Sequence, residues 1–280
     1  MRLEYIVEND NIRLSEELKL HTTKKLYRSI KSKNLKIYVN GIETKTYLMV
    51  KKGDRITIDY ENEKEIEWPL YESSLDIYYE DSNYLIVNKR AHLLSIPTKA
   101  EPKSIYQEVL YHLKNKNEPL TISILNRLDK ETSGLMMIAK NRIAANLMQP
   151  THEKMERFYI CKTHGIWDIK EGIIDNYIEK DINSNKRFIS TTGKRAISYY
   201  KVIKEVDGAS YLMFHLKTGR THQIRLHTSY MKHPIFGDTM YGIEDGNTTM
   251  ALSSYKIMFH HPYLNKDIEI ELKGEFEWEK

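Results

Sequence analysis

The sequence has a single cysteine, Cys161, which excludes an intrachain disulfide and a zinc site built from several cysteines. It has no apolar run of about 18 residues, the length a membrane-spanning helix needs. Its first residues, MRLEYIVENDNIRLSEELK, are studded with charge, so neither a membrane span nor a secretory signal is expected and the chain is placed in the cytoplasm. His-Glu-x-x-His is absent and the 11 histidines are scattered, so no metal is expected. The lack of GxGxxG, GxxxxGK[ST] and GxSxG removes the usual dinucleotide, nucleotide-phosphate and α/β-hydrolase readings. No internal repeat is present. What is there, 40% hydrophobic and 29% charged residues over 280 positions, is the composition of a folded globular chain of one or two domains, expected to be a monomer.

Charge is unevenly distributed. Between Lys19 and Lys52 there are 10 Lys or Arg residues against one acid, Glu43, whereas Asp59 to Asp81 carries 9 carboxylates against one Lys. The composition shift and the Glu-Trp-Pro turn at 67–69 place a boundary that divides the chain into residues 1–65 and 66–280. The basic block has structural spacing: Leu14, Leu18, Leu26 and Ile30 suit short helices, Leu35 to Val39 alternates as a strand, Asn40-Gly41 signals a hairpin turn, and Ile56-Thr57-Ile58 closes another strand. Lys24, Lys25, Arg28 and Lys31 are the candidate docking cations for a polyanion such as structured RNA; a solvated lysine-rich face is the plainer reading. The order of a Lys/Arg helical segment, IYVNG and a strand ending KKGDRITI resembles the αL RNA-binding module of a small-subunit ribosomal protein and of several RNA-modifying enzymes. The module's Ser-Arg-Ser signature is missing.

Residues 66–280 interleave β-rich segments with shorter helical ones. Tyr84 to Val87 and Leu135 to Ala139 read as buried strands, Arg157 to Thr163, Ala196 to Lys204 and Tyr211 to Leu216 as further strands, and Ser104 to Leu113 and Asn141 to Met148 as helices. Strict βαβ alternation is absent. The expected class is therefore α+β: a strand-rich domain on a mainly antiparallel or mixed central sheet flanked by helices, beside a small N-terminal α+β module.

Two segments carry chemistry. Asn126-Arg127-Leu128-Asp129-Lys130-Glu131-Thr132-Ser133-Gly134 lies between apolar strands, so that Asp129 is presented from a rigid loop; an Asp and a Ser bonding their own backbone in a turn is the bland alternative. In an extended segment Arg127 shares a side with Asp129. The second segment, Leu216 to His227, runs from a strand through Gly219 into a helix expected to start near Thr221, and packs Arg220, His222, Gln223, Arg225 and His227 into 8 residues. On such a helix His222 and Arg225 share a face, and the density of donors suits an anionic partner, or simply a capped helix with a polar face.

Together these two segments, NRLDKETSGLMMIAK and TGRTHQIRLH, the latter continuing to HPIFGDTMYG, resemble the Rlu-type family of RNA pseudouridine synthases, over roughly residues 75–272. A weaker match is Arg157-Phe158-Tyr159, where the family has Lys-x-Tyr. The family's first motif opens on His where this chain has Asn126. Its Asn-Lys-Pro-x-Gly appears as Asn88-Lys89-Arg90-Ala91-His92, and its Leu-His-Ala as Leu252-Ser253-Ser254. The resemblance implies that Asp129 is the catalytic aspartate, Tyr159 the aromatic that stacks on the target uracil and Arg225 the cation that pairs with the aspartate and favours its charged form. It further implies substrate contacts from Arg127, Arg220, Asn126 and His222, extrusion of the uridine into a pocket, and ribosomal or transfer RNA as the partner. Isomerisation of uridine to pseudouridine is redox-neutral and releases nothing, so no cofactor is expected. Two other classes remain at this point: a non-catalytic RNA-binding or ribosome-assembly protein on the same fold, and a nucleoside hydrolase that would release free base.

Overall fold

The computed structural model describes residues 2–21, 27, 28, 30, 35–59, 69–148, 155–184 and 186–279. The chain divides into two units, Met1–Glu67 and Trp68–Lys280.

In the first unit, four antiparallel strands lie in the order Arg2–Ile6, Arg55–Asp59, Ile37–Val39, Ile42–Thr44. The hairpin between the last two turns on Asn40 and Gly41, both left-handed at φ 51° and 82°, the twist that a two-residue connection requires. Helix Leu14–His21 supplies Leu14 and Leu18 to a core completed by Ile30, Ile37, Val39, Val50, Ile56 and Ile58. Arg28 is helical and exposed, while Lys24, Lys25, Leu26 and Lys31 lie outside the described residues.

The second unit is built on one large sheet, ordered Arg187–Ser190, Glu171–Lys180, Lys194–Val206, Ala209–Leu216, Met155–His164, Leu252–His261, Ser133–Ala139, Tyr84–Lys89 and Asp76–Glu80, with Lys266–Glu271 and Ser123–Ile124 attached at its sides. Every pairing is antiparallel except that of Ser133–Ala139 with Leu252–His261. This is the strand-rich mixed sheet that the sequence pattern calls for. Ser133–Ala139 is buried along its whole length because the sheet is covered on both sides: Met136 and Ile138 face a core that includes helix Ile105–Asn115 through Ile105, Val109 and Leu113, whereas Leu135, Met137 and Ala139 face a second core with Ala144, Ala145 and Met148 of helix Arg142–Met148. Met155–His164, by contrast, alternates strictly, with Arg157, Tyr159 and Cys161 on the buried side.

The parallel pairing positions the loop that carries Asp129, because it begins where that loop ends. Gly134 sits opposite Ser254 with φ +113°, and a Cβ there would stand 2.3 Å from the Ser254 carbonyl oxygen. Only a residue without a side chain lets the two backbones approach so closely. Gly134→Ala is expected to lower the stability of this unit by about 2–6 kcal/mol, the sum of backbone strain and overpacking. Urea unfolding followed by tryptophan fluorescence measures it, and a loss under 1 kcal/mol would mean that the two strands can part without cost.

Candidate active site

Asp129 stands on a loop whose backbone is tied down on each side. Ser95 Oγ donates to the Leu128 carbonyl at 2.6 Å and accepts the Leu128 N–H at 3.1 Å. Lys89, fully buried, donates from Nζ to the carbonyls of Leu93, Arg90 and Lys130 at 2.8, 2.9 and 3.1 Å. Burial pushes the Lys89 ammonium down to about 7, against the pull of the Glu277, Asp129 and Glu131 charges. The segment alternates as its extended reading requires: Arg127 is exposed, Leu128 buried and Asp129 half-buried, and Arg127 and Asp129 line the same cleft.

Asn126 does something else. It is 3% exposed, its amide donates to the Leu135 carbonyl at 3.2 Å, and its oxygen accepts the Met137 N–H at 2.7 Å. Both ends of the side chain are committed to the neighbouring strand's backbone, which makes Asn126 a brace under the loop.

The opposite wall is the corner between strand Ala209–Leu216 and helix Gln223–Tyr230. Gln223 staples this corner: its oxygen accepts from Thr218 Oγ1 at 2.8 Å and the Arg220 N–H at 2.9 Å, and its amide donates to Ile197 O and Ser198 Oγ at 3.0 and 2.9 Å. Arg220 adds a bond from Nε to the Arg195 carbonyl at 2.9 Å. The helix begins two residues later than its pattern suggests, because His222 is left-handed at φ 59° and stands outside it as the N-cap. His222 and Arg225 nonetheless converge on the same oxygen, Asp129 Oδ2, at 3.9 and 3.7 Å.

Arg225 has a closer partner than Asp129. It donates from Nε and Nη2 to the two oxygens of Asp238 at 2.8 and 2.7 Å, a bidentate pair in which Arg225 is 4% and Asp238 1% exposed. Asp238 Oδ1 also accepts the backbone N–H groups of Met240 and Tyr241 at 3.0 and 3.1 Å. Burial alone would lower the guanidinium and raise the carboxyl; the Arg225–Asp238 bonds reverse both, raising Arg225 and lowering Asp238. The Tyr241 ring lies 5.2 Å from the Arg225 guanidinium. Neither Asp238 nor Tyr241 stood out in the sequence as a site residue, although both belong to HPIFGDTMYG.

The cleft is open to solvent, with about 360 Å³ of empty space including its mouth. Its polar side chains are Arg127, Asp129, Thr132, Arg220, His222, Gln223 and Arg225; Tyr159, Leu128, Leu216, Ile224 and Leu252 also line it. Tyr159 is 6% exposed, and burial raises its phenol, with the nearby Arg157 charge opposing and the Asp129 charge adding. A carboxylate beside two donors, against an aromatic and aliphatic wall, can hold a flat polar ring and do acid, base or nucleophilic chemistry at its edge. Among the described residues no group of three His, Cys, Asp or Glu could hold a metal ion.

His227, inside the helix that His222 precedes, faces the core instead, fully buried with Nδ1 3.0 Å from Ser198 Oγ. Burial pushes its imidazole down to about 4 from an ordinary 6.5. The unfolded chain therefore binds a proton that the folded chain refuses, and stability is lost as pH falls from about 6.5 toward 4, by about 3 kcal/mol. His227→Asn, which keeps a partner for Ser198 without titrating, is expected to flatten that slope in urea unfolding at pH 7, 5.5 and 4.5. An unchanged slope would clear His227 of the effect.

A family model described as RNA pseudouridylate synthase matches residues 83–230. The chain is 32% identical over 255 residues to a protein of Bacillus subtilis (strain 168) named uncharacterized RNA pseudouridine synthase YjbO, covering 89% of this chain and 90% of that protein. It is 33% identical to ribosomal large subunit pseudouridine synthase D of Vibrio cholerae, over 84% of this chain and 78% of that one. A solved structure titled human RNA pseudouridylate synthase domain containing 1 shares the fold, with a TM-score of 0.61 at 20% identity over 74% of this chain and 86% of the human one. No helix among the described residues is long and apolar enough to cross a membrane.

Proposed function

The chain belongs to the RNA pseudouridylate synthase family and isomerises uridine within RNA to pseudouridine, and from that premise we propose that Asp129 is the carboxylate that starts the reaction, on a uridine stacked against Tyr159. The reaction breaks the N1–C1′ bond, forms a C5–C1′ bond, and moves a proton from C5 to N1, so substrate and product have the same atoms and no cofactor is called for. One observation carries the assignment: of the cleft's polar side chains Asp129 alone is a carboxylate, and it stands 3.7 Å from Arg225 in the cleft that Tyr159 lines.

Each other group has a part in this reading. Tyr159 holds the detached uracil while it turns, a stacking contact of about 1–3 kcal/mol. Arg225 and His222 face the carboxylate; Arg220 orders the corner and faces backbone phosphate; Arg127, exposed beside Asp129, enters the stack that the flipped nucleotide leaves. Within the family the motifs support the Rlu type, and the name of the Vibrio cholerae relative supports ribosomal RNA ahead of transfer RNA. The protein acts as a cytoplasmic monomer in this reading.

The N-terminal unit serves as an αL-type docking module in the same proposal, supported by the excess of cations between Lys19 and Lys52. Neutralising Lys24, Lys25, Arg28 and Lys31 together is expected to weaken RNA binding and to reduce the slope of log K against log salt by up to about 3–4. An unchanged slope in filter binding from 50 to 300 mM salt would remove the docking role.

The whole reading is tested by mapping carbodiimide-dependent primer-extension stops in ribosomal and transfer RNA from cells with and without the gene, then adding purified protein to the deficient RNA. A stop lost with the gene and restored by the protein is expected. Identical stops in every sample would overturn it.

A further inference from the structure

We propose that His222 is a positioning residue for Asp129, held by Tyr241 as the imidazole tautomer whose Nε2–H faces the carboxylate. The inference rests on the reading of Asp129 as the catalytic group and adds a second donor to it.

Three observations converge. First, His222 is left-handed at φ 59°, which turns its ring off the helix and into the cleft. Second, its Nδ1 is 2.7 Å from the Tyr241 hydroxyl, and that oxygen accepts the backbone N–H of Arg187 at 2.8 Å. With the phenol already accepting from Arg187, its single proton is directed at Nδ1; an imidazole that accepts at Nδ1 carries its proton on Nε2. Third, Nε2 faces Asp129 Oδ2 at 3.9 Å, and Arg225 Nη1 approaches the same oxygen at 3.7 Å. Both separations exceed a hydrogen bond by about 1 Å. A movement of that size by the carboxylate seats it on one donor or the other, so the pair defines where Asp129 rests and where it returns after reacting.

Tyr241 is itself fixed. Its N–H is held by Asp238 at 3.1 Å and its ring lies against the Arg225 guanidinium. The charged and titratable groups that face His222 are Asp129, Arg225, Arg187, Asp238 and Tyr241. Burial pushes the imidazole down, Asp129 opposes, and Arg225 and Arg187 add to the lowering, which favours the neutral ring in which the tautomer matters.

A residue retained only for its left-handed backbone makes the opposite prediction about substitutions. Asn is among the residues that best tolerate positive φ, and Gln is not. The amide nitrogen of Gln, however, reaches the place of Nε2, whereas that of Asn reaches only the place of Nδ1. Loss of the donor is expected to cost about ten- to a hundredfold in rate.

The test uses the full chain and C5-tritiated uridine in transcribed large-subunit ribosomal RNA and transfer RNA, following tritium release. His222→Gln is expected to retain at least tenfold more kcat than His222→Asn, with KM similar in both. In Tyr241→Phe the ring is free to protonate at Nδ1, which turns a lone pair toward Asp129; its deficit is expected to shrink as pH falls from 8 to 5.5, because the imidazolium again carries a proton on Nε2. His222→Asn as active as His222→Gln, or a Tyr241→Phe profile parallel to wild type, would overturn the proposal.

Independently of any substrate, 15N shifts of the labelled imidazoles report the tautomer of His222 in the wild-type protein. A proton on Nδ1 would end the proposal even if the enzyme is fully active. If the wild-type protein releases no tritium from either RNA, the functional reading fails on those substrates, while the 15N result still decides the tautomer.

Discussion

Asp129→Asn protein is expected to fold and to bind RNA as the wild type does, and to form pseudouridine at least about 10³-fold more slowly. The fold is expected to survive because the carboxylate holds nothing together at close range: the Arg225 guanidinium and the His222 imidazole stand 3.7 and 3.9 Å away, and the loop is tied by its backbone to Ser95 and Lys89. An amide of the same shape therefore leaves the tether intact, and the change in stability is expected to stay within about 0.5 kcal/mol, the range of substitutions that break no buried contact. Chemistry is a different matter. An amide is neither a base nor a nucleophile at neutral pH, and no second carboxylate faces the cleft to replace it, since Asp238 is buried behind Arg225 and bonded through both oxygens. Tritium release under single-turnover conditions, with filter binding alongside, separates the two effects. Product formed within tenfold of the wild-type rate would show that Asp129 is not the reacting group, and loss of binding in step with loss of product would show that it acts by holding RNA.

Much of the fold was legible because it rests on local rules. The turn at Asn40-Gly41, the alternation of Met155–His164 and the wholly apolar run in Ser133–Ala139 follow from side-chain periodicity and from the few residues that accept positive φ. The pairing of Arg127 with Asp129 on one side of an extended loop is of the same kind. What was not legible depends on contacts far apart in sequence. Asn126 is polar and next to the motif, so it invites a role in binding; only the crossing of Ser133–Ala139 shows that its amide is spent on Leu135 and Met137. His222 fits a helical face by spacing, yet it lies before the helix in a left-handed conformation, and its convergence with Arg225 has a different cause from the expected one. The role of Asp238 is invisible in a string because nothing about a Gly-Asp dipeptide says which of several arginines it will meet.

Asp238 is where stability and chemistry are coupled most tightly. Asp238→Ala removes one half of a buried ion pair and strands the Arg225 guanidinium, along with the N–H groups of Met240 and Tyr241. Breaking such a pair from one side costs about 3–5 kcal/mol, much of it the penalty of an uncompensated buried charge. The guanidinium then has one carboxylate left within reach, Asp129, at 3.7 Å. A close ion pair there holds the Asp129 oxygen down, so with Asp129 in the proposed role kcat is expected to fall more than KM rises. Acid works in the same direction on the wild type. The carboxyl of Asp238 is held below its ordinary 3.8, so the pair's contribution is fully present above that value and is lost as pH falls below it. A double substitution tests the cause. Arg225→Met with Asp238→Leu removes both charges and refills the space, and is expected to recover at least about 2 kcal/mol of what Asp238→Ala loses while staying at least about tenfold slower than wild type, since one of the two donors facing Asp129 is gone. Urea unfolding at pH 7 and tritium release on the same preparations give both quantities. A double variant no more stable than Asp238→Ala would mean that the cost lies in the emptied volume and the unbonded N–H groups, and that Arg225 needs no second carboxylate to stay where it is.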